Sequence, residues 1–154
     1  MDKQQFLEKV DQGWAGLEGA YAGLPEARLA EPGVVGDWSV KDLLAHVTIW
    51  EEEALKYLPL ILAGGRPPRY STQYGGLDAF NALITDQKRG LSLAEVQAQR
   101  ASTHQRLLDY LGGVPAEPFA SDTPFRHRLR METYGHYSLH TKMIRAWREG
   151  LGSL

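Results

Sequence analysis

The sequence of 154 residues contains no cysteine, which excludes disulfide bonds, thiolate metal ligands and a cysteine nucleophile. It has no apolar run that approaches the roughly 20 residues of a membrane helix, so no membrane partner is expected. The polar N-terminal segment lacks the apolar core of a signal peptide, and we expect a cytoplasmic protein. There is no excess of positive charge, since the net charge is −2, and no nucleic-acid partner is expected.

The sequence is rich in the apolar spacing of amphipathic helices. Apolar side chains recur at intervals of three and four in four segments: 2–24, 39–63, 92–111 and 131–149. Ser39 and Ser92 stand where helix N-caps are expected. Segment 64–91 is long enough to cross a bundle and has a short helical pattern in its second half, whereas 114–130 is predicted to be an irregular connector. We therefore predict a single all-α domain over residues 1–154, a four-helix bundle with a helix-containing crossover between its second and third helices.

Histidines occupy positions of the last predicted helix that a core helix normally gives to leucine or isoleucine. His136 and His140 are four residues apart, so both face the interior from one side of the helix. Buried imidazoles need partners, which are either hydrogen-bonding groups or a metal ion. The spacing suits two ligands of one ion. It suits equally two core histidines that are hydrogen-bonded to carbonyl or carboxylate oxygens.

A third histidine, His46, lies on the second predicted helix and shares a half-apolar face with Trp50 and Glu53. Three histidine nitrogens would leave coordination positions open for water or substrate, as in catalytic zinc sites. Such nitrogens suit zinc, nickel, iron or copper, with zinc and nickel as the first candidates. Glu53 is the candidate catalytic residue, because it could orient a ligand or serve as a base. The alternative for Glu53 is a solvated side chain.

Two further histidines are weaker candidates. His104 borders the apolar stripe of the third predicted helix, from which it could approach the site. The alternative for His104 is a surface position. His127 lies in a basic part of the second connector, and we expect it to be exposed.

Two segments resemble the DinB-like superfamily of four-helix metalloproteins, which includes the bacillithiol transferases and the mycothiol-dependent maleylpyruvate isomerases. They are DWSVKDLLAHVTIWEEE (37–53) and YGHYSLHTKMIRAW (134–147), and residues 77–100 are similar to the segment that leads into the third helix of many members. The resemblance covers nearly the whole chain. It implies a bundle that runs up-down-down-up and a protein that forms homodimers.

The resemblance also implies a function for the histidines. His46, His136 and His140 match the metal triad of the superfamily. Members often carry an acidic residue just before the last histidine, but Leu139 stands there in this chain, which removes a side chain capable of acid–base chemistry. The colibactin-resistance cyclopropane hydrolases have a similar layout and are a weaker template.

These features indicate a metal-dependent enzyme. The favoured reaction is a thiol-dependent S-transfer or detoxification, in which a low-molecular-weight thiol attacks a small electrophilic substrate. One alternative is a non-catalytic metal- or ligand-binding dimeric bundle that serves in stress response. Another is a hydrolase with metal-activated water, and a third is a bundle whose histidines are structural and bind no metal.

Overall fold

A computed structural model describes residues 1–152 and the side chains through Gly150, and in this range it contains helices and no strand. The predicted all-α bundle is thereby confirmed. In chain order the helices are α1 (Lys3–Tyr21), α2 (Glu26–Leu29), α3 (Val40–Leu62), α4 (Tyr70–Gln73), α5 (Leu77–Lys88), α6 (Leu93–Gly112), α7 (Glu117–Ala120), α8 (Pro124–Glu132) and α9 (Tyr134–Gly152). None of the helices in this range combines the length and apolar character that a bilayer crossing requires.

The helices α3 and α6 begin with the caps that the sequence predicts. Ser39 Oγ accepts a hydrogen bond from the Asp42 amide at 3.1 Å, and the Asp42 carboxylate accepts one from the Ser39 amide at 2.9 Å. Ser92 and Glu95 form the same reciprocal pair at the start of α6. Each pair satisfies two amide groups that a helix N-terminus otherwise leaves without partners.

The crossover of α4 and α5 connects two helices that run in the same direction. Lys41, at the start of α3, donates a hydrogen bond to the Leu91 carbonyl just before α6, at 2.8 Å. Further along both helices, the Thr103 hydroxyl of α6 donates a hydrogen bond to the Glu52 carboxylate of α3 at 2.6 Å. Since early residues meet early residues and later residues meet later ones, α3 and α6 are parallel. The short helix predicted in the crossover corresponds to α5.

The other two long helices, α1 and α9, are also parallel to each other. Lys3, at the start of α1, donates to the Val114 carbonyl just after the end of α6, at 2.6 Å, so α1 and α6 are antiparallel. Arg148 near the end of α9 donates to the Ala22 carbonyl just after the end of α1, at 2.7 Å. The C-terminal ends of α1 and α9 therefore lie side by side.

The last predicted helix is divided in the structure, which corrects the sequence-based boundaries. Much of the predicted connector 114–130 is helical, and Thr133 separates α8 from α9 inside the helix predicted over 131–149. Gly135 permits this break, because a Cβ atom there would lie only 2.9 Å from the Arg130 carbonyl oxygen. The apolar spacing continues across Thr133, so it gave no sign of the break, whereas the glycine was a signal within the sequence.

The helices α1 and α9 approach each other closely at one glycine. A Cβ atom on Gly13 would lie 3.1 Å from Tyr134 Cβ and 3.2 Å from Tyr137 Cδ2. Gly16 and Gly19 have no such neighbour within 4 Å. Of these three glycines, Gly13 is therefore the one whose missing side chain lets α1 and α9 come close.

Candidate metal centre

Three histidines from two antiparallel helices converge between α3 and α9. The Nε2 atom of His136 lies 3.0 Å from Nε2 of His46 and 2.8 Å from Nε2 of His140. One ring nitrogen from each residue lies within 4.8 Å of those of the other two. Two atoms bound to one zinc ion at about 2.0–2.1 Å are at most about 4 Å apart. Two of the three separations are within this limit and the third exceeds it by at most 0.8 Å, so a small shift lets the three rings, called the histidine triad below, share an ion.

Tryptophans stand beside the histidine triad. The Trp38 ring centroid lies 5.0 Å from that of His46, and the Trp50 centroid lies 6.5 Å from that of His136. Trp38 is held by a tight turn before α3, in which its carbonyl accepts a hydrogen bond from the Val34 amide at 2.9 Å. The structure thus adds Trp38 to the surroundings of the site as a wall residue.

Burial keeps the triad neutral. His46 and His140 are 8% and 5% exposed, and His136 is half-buried. Burial, followed by the charge of His140, lowers the pKa of His46 to about 3. The pKa of His136 falls to about 2 by burial and by the charges of the other two rings, and burial lowers that of His140 to about 4. Neutral imidazoles are the form that binds metal ions.

Hydrogen bonds within the triad do not satisfy all of its polar atoms. A neutral imidazole has one N–H group and one lone pair. His136 Nε2 faces Nε2 of both other rings and has only one hydrogen or one lone pair to share between them. The Nδ1 atoms of His136 and His140 are buried and have no hydrogen-bond partner among the residues that the structure describes. Three Nε2 lone pairs directed at one cation would remove this conflict, so the donor set fits a divalent transition metal.

Glu53, the candidate catalytic residue, is buried rather than solvated. Its carboxylate accepts a hydrogen bond from the Tyr70 hydroxyl at 3.1 Å, and that hydroxyl accepts one from Arg128 at 2.8 Å. Arg128 also donates to Glu132 Oε1 at 2.5 Å, while Glu132 Oε2 is buried without a partner. These four side chains, from α3, α4 and α8, are called the carboxyl cluster below.

The carboxyl cluster contains an acidic residue, Glu132, that was not among the candidates predicted from the sequence. Burial raises the pKa of Glu132 to about 7, with Arg128 opposing the shift and Glu53 adding to it. Glu132 precedes His136 by the same four residues that separate His136 from His140, so the spacing was a usable signal. Tyr70 and Arg128 gave no such signal, because one lies in the crossover and the other in a segment predicted to be irregular.

His104 does not join the histidine triad or lie on the surface. Its Nδ1 donates to the Glu51 carboxylate at 3.1 Å, and its ring stacks on Trp14 with centroids 3.6 Å apart. The Tyr137 hydroxyl donates to the same carboxylate at 3.0 Å. These four residues are called the core network below. His127 is exposed on α8, as predicted.

Solved structures with the same fold cover nearly the whole chain. They include the sibling lethal factor precursor DfsB, with a TM-score of 0.81, 15% identity and coverage of 98% of this chain and 97% of that one. An uncharacterised protein of Escherichia coli UTI89 has a TM-score of 0.80, 15% identity and coverage of 98% and 95%. The colibactin self-resistance protein ClbS, solved in complex with double-stranded DNA, has a TM-score of 0.77, 13% identity and coverage of 94% of both chains.

A comparison with curated proteins found no match. At 13–16% identity the solved structures show the fold alone. The sequence profile of the DinB superfamily matches residues 9–141, a range that contains the complete histidine triad. The chain therefore belongs to the DinB superfamily.

Proposed function

We propose that this protein is a metal-dependent enzyme that transfers a low-molecular-weight thiol to a small electrophile. The observation that carries the proposal is the convergence of three neutral Nε2 atoms from the buried His46 and His140 and the half-buried His136. These residues would hold a divalent ion, with zinc or nickel favoured. A bound divalent ion would lower the pKa of a thiol beside it and so supply a nucleophile at neutral pH.

The thiol has to come from a small molecule, because the chain has no cysteine. In the transfer, the S–H bond breaks, a bond between sulfur and an electrophilic carbon forms, and the proton moves to an acceptor. The imidazoles of the histidine triad would be poor acceptors, since their Nε2 lone pairs would bind the ion and burial lowers their pKa. A separate group is therefore needed to take the proton.

We assign that task to the carboxyl cluster, with Glu53 as the acceptor. Glu53 lies two turns after His46 on the same face of α3, and Glu132, the last residue of α8, lies four residues before His136 of α9. The Trp50 ring stands beside both regions, with its centroid 5.3 Å from that of Tyr70 and 6.5 Å from that of His136. In an addition reaction the cluster would return the proton to the substrate. In a displacement the bond from carbon to the leaving group would break, the leaving group would depart with the electron pair, and the cluster would release the proton to that group or to solvent.

Metal analysis is the first test. We expect about one zinc or nickel ion per chain in untagged protein that has been purified without exposure to a nickel resin. The His136→Ala/His140→Ala variant should contain none, and the His127→Ala variant, which removes an exposed histidine, should match wild type. A wild-type protein that stays metal-free after reconstitution would overturn the proposal and favour structural histidines.

Activity assays separate the proposed reaction from its alternatives. We expect metal-loaded wild type to accelerate the reaction of one or more small thiols with a panel of electrophiles, and Glu53→Gln to lose most of that rate. Hydrolysis without any thiol would favour a hydrolase. A protein that binds metal and accelerates neither reaction would favour a non-catalytic binding bundle.

We further propose that the protein acts in the cytoplasm as a homodimer, in line with the family resemblance. Double-stranded DNA is a partner of ClbS, a neighbour in fold, and we propose no such partner here because the net charge is −2. A salt-dependent shift of double-stranded DNA in a binding assay would contradict this proposal. Sedimentation of the metal-loaded protein would test the dimer.

A further inference from the structure

The helices α3 and α9 are connected by two polar contacts of equal length. One joins His46 Nε2 to His136 Nε2 at 3.0 Å. The other is the hydrogen bond from the Tyr137 hydroxyl to Glu51 Oε1, also at 3.0 Å. The first belongs to the histidine triad and the second to the core network. The two contacts involve adjacent residues of α9, so the position of one constrains the other.

The two contacts lie on different sides of both helices. With about 100° per residue, Tyr137 is turned by about 100° around α9 from His136 and by about 60° from His140. Glu51 is turned by about 140° around α3 from His46 and lies about 7.5 Å further along the axis. A single contact would leave each helix free to rotate about it. Two contacts at separate angles and heights fix the rotation of α9 against α3.

The Glu51 end of the second contact is itself rigid. Glu51 is 1% exposed, and its carboxylate also accepts the hydrogen bond from His104 of α6. Trp14 of α1 stacks on the His104 ring, and the Arg100 guanidinium of α6 also lies over the Trp14 ring, 3.7 Å from its centroid. All four long helices thus meet around one carboxylate, which accepts hydrogen bonds from donors on two of them.

Tyr137 is held equally firmly at the other end. It is fully buried, its ring packs edge-on against Trp14 with centroids 5.6 Å apart, and one ring edge faces Gly13. The rings of His136 and His140 lack such support, because their Nδ1 atoms have no hydrogen-bond partner. In most metal sites that second nitrogen is held by a neighbouring carboxylate, carbonyl or water. Here no side chain or backbone group in the described part of the chain holds that nitrogen, so the direction of the rings depends on how α9 is placed.

We propose that the Tyr137–Glu51 hydrogen bond is the positioning device of the histidine triad: it sets the rotation of α9 so that His136 and His140 face His46. Glu51 and Tyr137 act through the helix backbone and touch neither the ion nor the substrate. The part of this inference that concerns metal affinity rests on the proposed function. The part that concerns the orientation of the imidazole rings does not.

The test compares Tyr137→Phe with Ile144→Val. Tyr137→Phe removes one oxygen atom and keeps the ring that packs on Trp14. Ile144 is fully buried on α9, one turn after His140, so Ile144→Val lowers core stability on the same helix without touching the hydrogen bond. A third variant, Glu51→Gln, keeps an acceptor for the Tyr137 hydroxyl and should behave like wild type at the triad.

Two readouts are needed, one with metal and one without. With Co²⁺ as the probe, Tyr137→Phe should raise the dissociation constant about tenfold and change the visible absorption band of the ion. In metal-free protein, the imidazole ¹H–¹⁵N signals of His136 and His140 should shift or split in Tyr137→Phe. Ile144→Val and Glu51→Gln should leave the band and the signals as in wild type.

Unchanged imidazole signals in Tyr137→Phe, with a melting temperature lowered as in Ile144→Val, would overturn the inference and make the bond purely structural. A wild type that binds no metal would instead overturn the proposed function. In that case the imidazole signals of the metal-free variants still decide this inference.

Discussion

The histidine triad and the core network are two polar groups in the interface of α3 and α9, and they differ in how far their atoms are satisfied. In the core network, the Glu51 carboxylate receives donors from His104 and Tyr137, and the His104 ring is covered by Trp14. In the triad, three nitrogens crowd together while the Nδ1 atoms of His136 and His140 have no partner.

This difference separates a structural polar network from a group of side chains with the donor set of a metal site. A fully hydrogen-bonded buried network is rigid and helps to specify one arrangement of the helices. Buried polar atoms without a protein partner lower stability unless a water or an ion binds them. The carboxyl cluster is intermediate, because one oxygen of Glu132 binds Arg128 and the other has no partner.

The largest effect on stability is expected in the core network. Glu51→Leu leaves the His104 ring and the Tyr137 hydroxyl buried without their acceptor, and we expect the free energy of unfolding to fall by about 3–5 kcal/mol. The control is Glu52→Leu. Glu52 is partly exposed and pairs with Arg106, so its replacement should cost no more than about 1 kcal/mol. Urea unfolding at pH 8 measures both, and equal losses would contradict the distinction.

In the carboxyl cluster, replacing Glu132 should have a smaller effect on the free energy of unfolding, and that effect should depend on pH. Burial raises the folded-state pKa of Glu132 from its ordinary value of 4.5 to about 7, so the folded protein holds this proton more tightly than the unfolded chain. The resulting stability is fully present below pH 4.5 and is lost as the pH rises through 7. Between pH 5 and pH 8 the stability of wild type relative to Glu132→Gln should therefore fall by about 2 kcal/mol.

Unfolding measured for both proteins across this pH range checks the expectation, because shared titrating groups cancel in the difference. Glu117→Gln removes an exposed glutamate on α7 and controls for the loss of one negative charge. A difference that stays constant with pH would mean that Glu132 is ionised in the folded protein throughout, as an acid fully paired with Arg128 would be.

A smaller effect is expected where α1 supports the core network. Gly13→Ala would bring a methyl group within 3.1 Å of Tyr134 and 3.2 Å of Tyr137, whose ring is fixed by its bond to Glu51. We expect this clash to outweigh the gain in helix propensity and to lower stability by about 1 kcal/mol. Gly16→Ala meets no atom within 4 Å and should raise stability by about 0.5–1 kcal/mol. Thermal unfolding measures both, and a stabilised Gly13→Ala would show that α9 is free to shift.

The sequence predicted the features that depend on local spacing. Intervals of three and four predicted the long helices, and Ser39 and Ser92 marked two helix starts through hydrogen bonds within one turn. The spacing of His136 and His140 indicated one shared face. These signals span a few residues, so no knowledge of distant contacts was needed to interpret them.

The features that depend on distant contacts were not predictable in this way. His104 lies one turn after Arg100 on α6. Nothing in the local sequence pattern shows that His104 contacts Glu51 of α3 instead of joining His46 at the histidine triad. The hydrogen bond from Tyr70 to Glu53 joins the crossover to α3, which depends on how the crossover folds back. The break at Thr133 likewise depends on packing, although Gly135 marks the point where the backbone must come close.

The smallest effect on stability is expected in the histidine triad, where a substitution should have the largest effect on metal binding. His140→Leu replaces a buried ring whose Nδ1 has no partner with an apolar side chain, so in metal-free protein at pH 8 the free energy of unfolding should change by less than about 1 kcal/mol. Urea unfolding with a chelator measures this, and repetition with excess zinc should stabilise wild type alone, because only an intact triad binds the ion in the folded state. A loss as large as that of Glu51→Leu in the chelated protein would mean that the triad is itself a satisfied structural network, and the contrast between the two regions would be wrong.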